Sequence, residues 1–306
     1  MNFSIIFPGQ NTYNKKKLKQ LYKIKLIKNI FEEASETINY NIWKNINKIP
    51  IKKIKNRYLQ PIIITISISI YKLWAKYINI QPNIIAGHSL GEYSSLICAN
   101  AISFNTCLKL VKSRGKLMES ISKKRKISTK IIFGIEEKKI LKICKKCSSK
   151  KIVEVASVNS KKIIVISGDK TSVDKAEKLC KKYGSKKNFI VPISVPVHSS
   201  IAKSIKKKYL YFLKKIHFKN PKYKIINNVD AKKIYKKKNI KKYLCKQLYK
   251  KVKWKSCIDY IIKKNIKLFL EMSTKQIFIK KYFKNIKIIT INSKKKILYA
   301  KKKIEN

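Results

Sequence analysis

The chain has 306 residues, with 75 Lys and Arg against 15 Asp and Glu, for a formal net charge of +60. Hydrophobic residues make up 44%, enough for the core of one large α/β domain or two modest ones. The lysines run along the whole chain instead of gathering in an arm or stripe, and Lys, Ile and Asn dominate together. An A/T-rich codon bias explains all three, which argues against a dedicated nucleic-acid or anionic-membrane patch. Against that background the rare residues are informative. Only three arginines (Arg57, Arg114, Arg125), three histidines (His88, His198, His217) and seven glycines occur.

In chain order, Phe3 to Phe7 reads as a short apolar strand stopped by Pro8-Gly9. The run is too short for a signal peptide and no basic region precedes it. A lysine-rich connection leads to a helix around Ile27 to Thr37. Ile62 to Trp74 fits both periods. Ile66, Ile68 and Ile70 alternate as in a strand, but Pro61 suits a helix N1 position and the run continues to Tyr77, so it reads as a buried helix. Its apolar stretch, Ile62 to Tyr71, falls short of the roughly 20 residues of a membrane span.

Asn83 to Ala86 reads as a buried strand, and the following helix carries Leu90, Tyr93, Leu96, Ile97 and Ala101 on one face. After Ser120 the pattern becomes strand (Ile131 to Phe133), helix (Glu136 to Cys147), two strands (Ile152 to Ser157, Ile163 to Ser167), helix (Thr171 to Tyr183) and strand (Phe189 to Val195). This β-α-β-β-α-β order is a split βαβ, or ferredoxin-like, motif. It predicts a small domain over 125–195 inserted into a larger one made of 1–124 and 196–306. His217, between Lys215 and Lys219, reads as exposed, and the tail from Lys294 as frayed.

Seven cysteines form no short disulfide framework, and the odd count suits a reducing cytosol. Cys144 and Cys147 have C-x-x-C spacing, but no second pair or nearby histidine completes a metal site.

Gly87-His-Ser89-Leu-Gly91 lies between a predicted strand and a predicted helix. That is the context of a nucleophile elbow, whose sharp turn needs small neighbours and aims a helix N-terminus at the serine. Serine needs a base. His198, in Val195-Pro-Val-His-Ser199, is the candidate, and the order of nucleophile then histidine fits an α/β-hydrolase-like layout.

Phe7-Pro-Gly-Gln10, Gly87-His-Ser-Leu-Gly-Glu92, Arg114-Gly115, Val195-Pro-Val-His198, Asn227-Asn-Val-Asp230 and Gln247-Leu-Tyr249 occur in this order. Together they resemble the malonyl-CoA:acyl-carrier-protein transacylase family of fatty-acid synthesis, from residue 3 to about 280. The resemblance implies an α/β-hydrolase-like large domain with a ferredoxin-like insert. It implies Ser89 as the acylated nucleophile, His198 as general base, and the backbone N–H groups of Gln10 and Leu90 as the oxyanion hole. It also implies Gln247 as the residue that orients the histidine through a neutral carbonyl, and Arg114 as the group that binds the malonyl carboxylate. Arginine's planar fork suits that last task, because it can grip a carboxylate with two parallel hydrogen bonds and lysine cannot.

The implied substrates are malonyl-CoA and acyl carrier protein. No metal or cofactor, no nucleic acid and no membrane are expected, and the protein is expected to be a cytoplasmic monomer. A serine hydrolase or thioesterase with the same elbow is the rival, disfavoured by Arg114 and by the lack of an obvious triad acid. Four stretches depart from the family. Asn11-Thr-Tyr13 replaces Gly-Ser-Gln, and Lys-Ile-Ser-Thr-Lys130 replaces a Gly-rich segment. Lys161-Lys162-Ile163 stands where Pro-Gly-Gln is common, and Ser273-Thr274 where Gly-Pro is common. These changes bear on turn geometry and stability more than on chemistry.

Overall fold

Five consecutive buried residues, Phe3–Phe7, make strand β1. Helices Lys15–Tyr22 (α1), Lys25–Ile38 (α2), Ile42–Lys48 (α3) and Asn56–Tyr77 (α4) follow. Next come Ile84–Gly87 (β2), Gly91–Cys98 (α5) and Phe104–Ser122 (α6). Then Ile127–Phe133 (β3), Glu137–Cys147 (α7), Val153–Ser160 (β4), Ile163–Asp169 (β5), Lys170–Lys182 (α8) and Asn188–Ile190 (β6) repeat the predicted β-α-β-β-α-β order. The chain continues with Lys206–Lys214 (α9), Lys224–Ile226 (β7), Lys233–Ile234 (β8), Lys237–Gln247 (α10) and Trp254–Ile262 (α11). It ends with Leu268–Glu271 (β9), Lys287–Thr290 (β10) and Lys294–Glu305 (α12). This computed structural model describes every residue except 11, 12, 187, 192–194, 197, 235, 279–282, 284 and 306. Asn11 and Thr12 of the altered loop, Val197 of the histidine motif and residues 192–194 of the last predicted strand therefore lie outside the described residues.

Two sheets organise the molecule. The larger runs β10-β9-β1-β2-β7-β8, with every pairing parallel except β7–β8. Parallel strands covered on both faces read as unbroken apolar runs, as Phe-Ser-Ile-Ile-Phe does in β1. Successive side chains alternate between faces. Ile5 and Phe7 join the core with α2, α4 and α6, whereas Ile6 joins Trp254 and Phe269 on the opposite face. The smaller sheet is antiparallel, in the order β4-β5-β3-β6. It has its own core of Ile132, Ile140, Val153, Ile164, Val173 and Cys180. A short bridge between Ser157 and Val252 ties it to the larger body, through Val158 N–H to Val252 O and Val252 N–H to Ala156 O.

Four expectations need correction. Helix α4 starts at Asn56, so Pro61 lies inside it and not at N1. The Glu119 carboxylate accepts the Arg57 N–H at 2.8 Å, which satisfies an orphan donor and lets the first turn form ahead of the apolar run. With 22 residues α4 is also long and apolar enough to cross a bilayer, contrary to the length argument. However, 78% of its most apolar window is buried inside the fold. Helix α5 is buried on all sides and not on one face, and Ala101 lies beyond its end. Finally, the tail is the ordered helix α12. Ile297, Ala300 and Ile304 are buried, and the Met1 ammonium donates to Ile304 O.

The altered turns are held by side chains. Thr274 Oγ1 accepts the Asn14 N–H at 2.6 Å. Lys126 to Lys130 lie in and just before β3, where Thr129 Oγ1 meets Ser167 Oγ at 3.0 Å.

Candidate active site

The elbow forms where β2 ends and α5 begins. Ser89 sits at φ 54°, a left-handed conformation that costs a non-glycine residue of order 1–3 kcal/mol and persists only when the surroundings enforce it. The surroundings here are very close. A Cβ on Gly87 would fall 1.9 Å from the Gly91 carbonyl carbon, and one on Gly91 would fall 2.4 Å from Phe7 O. Glycine is therefore required on both sides of the serine. Leu90 precedes the first residue of α5, so its N–H belongs to a turn with no acceptor inside the helix. Ser89 remains half-exposed at the end of the parallel sheet.

His198 meets the nucleophile. Ser89 Oγ lies 2.6 Å from His198 Nε2, and His198 Nδ1 lies 2.7 Å from the backbone carbonyl of Gln247. A carbonyl can only accept, so Nδ1 carries the proton and Nε2 is free to accept from the serine hydroxyl. His198 is itself at φ 55°, and its N–H donates to Leu248 O at 3.1 Å. Burial first, and the charge of Arg114 second, push its imidazole down to about 3. The ring is thus neutral and able to take a proton at any pH near 7.

Arg114 is buried to 1% exposure on α6. Its Nη1 donates to Gln60 Oε1 at 2.8 Å, and its guanidinium lies 5.5 Å over the Tyr93 ring. Nε and Nη2 have no hydrogen-bond partner among the described residues. A buried cation with unused donors is costly unless an anion can complete it. Gln10 is half-buried at the end of β1, and its side chain donates to Asn56 Oδ1 at 2.8 Å.

Asn228, Glu92 and Gln60 belong to the site without having been assigned a role from sequence. Asn228 accepts the Ser89 N–H at 2.6 Å and donates to Gly87 O at 2.7 Å. Gln247 contributes its side chain as well as its carbonyl, donating to Ser89 O at 3.0 Å and to Glu92 Oε2 at 2.8 Å. Glu92 also accepts the Asn228 N–H at 3.1 Å. Asn227-Asn228 is the only adjacent asparagine pair in the sequence, and it entered the family resemblance with no role attached to it. Gln60, ahead of an isoleucine run, carried no signal. His88, beside the nucleophile, points away from it. Its Nε2 lies 2.9 Å from Asn159 Oδ1 and 3.2 Å from Ser157 Oγ on the small sheet. His217 is exposed, as expected. All seven cysteines are free, and no cluster able to hold a metal occurs among the described residues.

A family model described as the acyl transferase domain matches residues 25–293. The chain belongs to the acyl transferase family. The protein is an enzyme of the acyltransferase class. It is 41% identical to the malonyl CoA-acyl carrier protein transacylase of Buchnera aphidicola subsp. Schizaphis graminum, over 99% of each chain. Among solved structures it matches the Coxiella burnetii malonyl CoA-acyl carrier protein transacylase with a TM-score of 0.95 and 29% identity, over 100% of this chain and 98% of that one. It also matches a malonyl-transacylase solved in complex with a type II PKS acyl-carrier protein. There the TM-score is 0.95 and the identity 29%, over 99% of this chain and 100% of that one.

Proposed function

We propose that this acyltransferase moves a malonyl group from malonyl-CoA to the phosphopantetheine thiol of acyl carrier protein, for fatty-acid synthesis. The observation that carries the reading is Arg114: a buried guanidinium with two open donors, close enough to depress the proton affinity of His198. Such a site favours an acyl group that ends in a carboxylate.

The reaction is a double displacement. Ser89 Oγ gives its proton to His198 Nε2 and attacks the thioester carbonyl. The N–H groups of Gln10 and Leu90 hold the oxyanion, a contribution typically worth about 10²–10³ in rate. Collapse breaks the C–S bond, His198 returns the proton to the departing CoA thiolate, and malonyl-Ser89 remains with its carboxylate on Arg114. The carrier's thiol then gives its proton to His198 and attacks the ester, and Ser89 recovers the proton as it leaves. Gln247 O keeps the imidazole in the tautomer that both halves require. No step calls for a metal or redox cofactor.

The larger body, 1–124 with 196–306, is read as α/β-hydrolase-like and 125–195 as a ferredoxin-like insert. The strand order β4-β5-β3-β6 supports the second description. Seven free cysteines support a reducing, cytoplasmic location. The protein is read as a monomer that needs neither nucleic acid nor membrane. The test is to mix enzyme with malonyl-CoA, add the thiol form of the carrier, and follow malonyl-carrier against free malonate. Transfer supports the reading, whereas release of malonate without transfer would make the protein a thioesterase.

A further inference from the structure

We propose that Glu92 is a positioning residue for acyl transfer, a buried carboxylate that locks the base's support to the nucleophile's support. The inference rests on the function proposed above. It concerns a residue that neither touches substrate nor contacts His198.

The geometry is specific. His198 is oriented by the Gln247 carbonyl at 2.7 Å. Ser89 is held at its left-handed φ by Asn228, which takes the Ser89 N–H at 2.6 Å and gives to Gly87 O at 2.7 Å. Those two supports come from different parts of the chain: Gln247 ends α10, and Asn228 follows β7. Glu92 Oε2 joins them, accepting from Gln247 Nε2 at 2.8 Å and from the Asn228 N–H at 3.1 Å. Gln247 Nε2 closes the ring on Ser89 O at 3.0 Å. One carboxylate oxygen therefore fixes the 2.6 Å separation between Ser89 Oγ and His198 Nε2, a distance that decides whether the proton can move.

A role confined to stability fits poorly. Glu92 has 0% exposure, and its Oε1 has no partner among the described residues. A buried ionisable group is weak evidence of a purely stabilising role, because its desolvation offsets much of what its partners return. Burial pushes its carboxyl up to about 7, while Gln247, Asn228 and the Arg114 charge pull it the other way. A costly group in the helix turn behind the nucleophile suits a site that must hold two separate supports in register.

The test uses Glu92→Ala, Glu92→Gln, Gln247→Ala and the double Ala variant. Gln247→Ala keeps the backbone carbonyl on His198 and removes the side chain's bonds to Glu92 and to Ser89 O. Each variant is titrated for acylatable sites by intact mass with malonyl-CoA, so that kcat is expressed per competent enzyme, and its melting temperature is recorded. Glu92→Ala and Gln247→Ala should each lower kcat about 10- to 100-fold, as losing a group that orients an active residue typically does. The KM for malonyl-CoA should stay within about threefold, because Arg114 and Gln60 are untouched, and the double variant should lose no more than the worse single. Glu92→Gln keeps an acceptor oxygen and should recover most of the rate.

Should Glu92→Ala fail to fold, Gln247→Ala carries the test alone. A wild-type kcat in Gln247→Ala, or losses that multiply in the double variant, would overturn the proposal. A rise in KM with kcat unchanged would also overturn it, assigning Glu92 to the charge balance of Arg114 instead. If the unsubstituted protein takes no malonyl group, the functional reading fails first.

Discussion

Lys130 and Arg114 are both buried cations, at 6% and 1% exposure, but the two regions that hold them treat the charge differently. In the small sheet, Lys130 Nζ is answered by Asp174 Oδ1 at 2.6 Å and by Glu177 Oε2. In the large body, Arg114 receives one neutral acceptor and an aromatic face, and two of its donors stay open. A charge that serves only the fold is neutralised by the fold. A buried charge left incomplete is costly, and the function proposed above has the substrate's carboxylate complete it. The same contrast runs through the lysine-rich composition, which enters β3 and the turn between β4 and β5 but stops at the elbow, where a single added Cβ would collide at 1.9 Å.

Substitutions can break this comparison or sharpen it. The largest effect is expected at Ser89, the proposed nucleophile. Ser89→Ala should abolish the acyl-enzyme and lower turnover by about 10⁴–10⁶-fold, read by intact mass and carrier transfer. Arg114→Ala comes next. Losing one partner of a buried charge pair costs about 2–5 kcal/mol, so malonyl transfer should fall roughly 30- to several-thousand-fold. Acetyl transfer should hold or improve, because no unpaired cation remains, and Arg114→Lys should be intermediate because it lacks the fork. An equal loss for both thioesters would make Arg114 structural, like Lys130.

Lys130→Met should do the opposite. Both of its carboxylate partners are partly exposed, so a loss of about 1–3 kcal/mol in stability is expected. Malonyl and acetyl kinetics of the folded fraction should not change. Denaturant unfolding and kcat/KM together check this.

The pH profile gives a finer test. In the proposed reaction His198 acts deprotonated, and its imidazole is pushed down to about 3 by burial and then by Arg114. Its acid limb must therefore lie well below 6.5, and kcat/KM for malonyl-CoA should stay level down to about pH 5. In Arg114→Ala the limb should move upward. Smallest is the effect of salt. Carrier proteins of the resembled family are acidic, so transfer to the carrier should weaken with ionic strength more than acylation by malonyl-CoA does.

Sequence was most legible where rare residues met a rigid geometric need. The elbow glycines, His198 and Arg114 stood out because this chain spends few Gly, His and Arg, and the strand Phe3 to Phe7 because its short apolar run stops at Pro8-Gly9. The same bias hid other parts. Asn228 is one asparagine among many, although its side chain grips both Ser89 and Gly87. Helix α12 carries Ile297, Ala300 and Ile304 at helical spacing, but the lysines between them look like a solvated tail. Glu92 sat in plain view beside the nucleophile. Its partners lie 136 and 155 positions away, and such distant pairings follow from topology, which local pattern does not encode.

The most direct measurement of the central claim, that Arg114 is held open for the substrate's carboxylate, is a competition. Protein is mixed with equal concentrations of malonyl-CoA and acetyl-CoA, and the acyl group on Ser89 is identified by intact mass and peptide mapping. The native protein should carry malonyl almost alone, and Arg114→Ala should carry mainly acetyl. The same malonyl-to-acetyl ratio in both proteins, or acylation at a residue other than Ser89, would contradict the account.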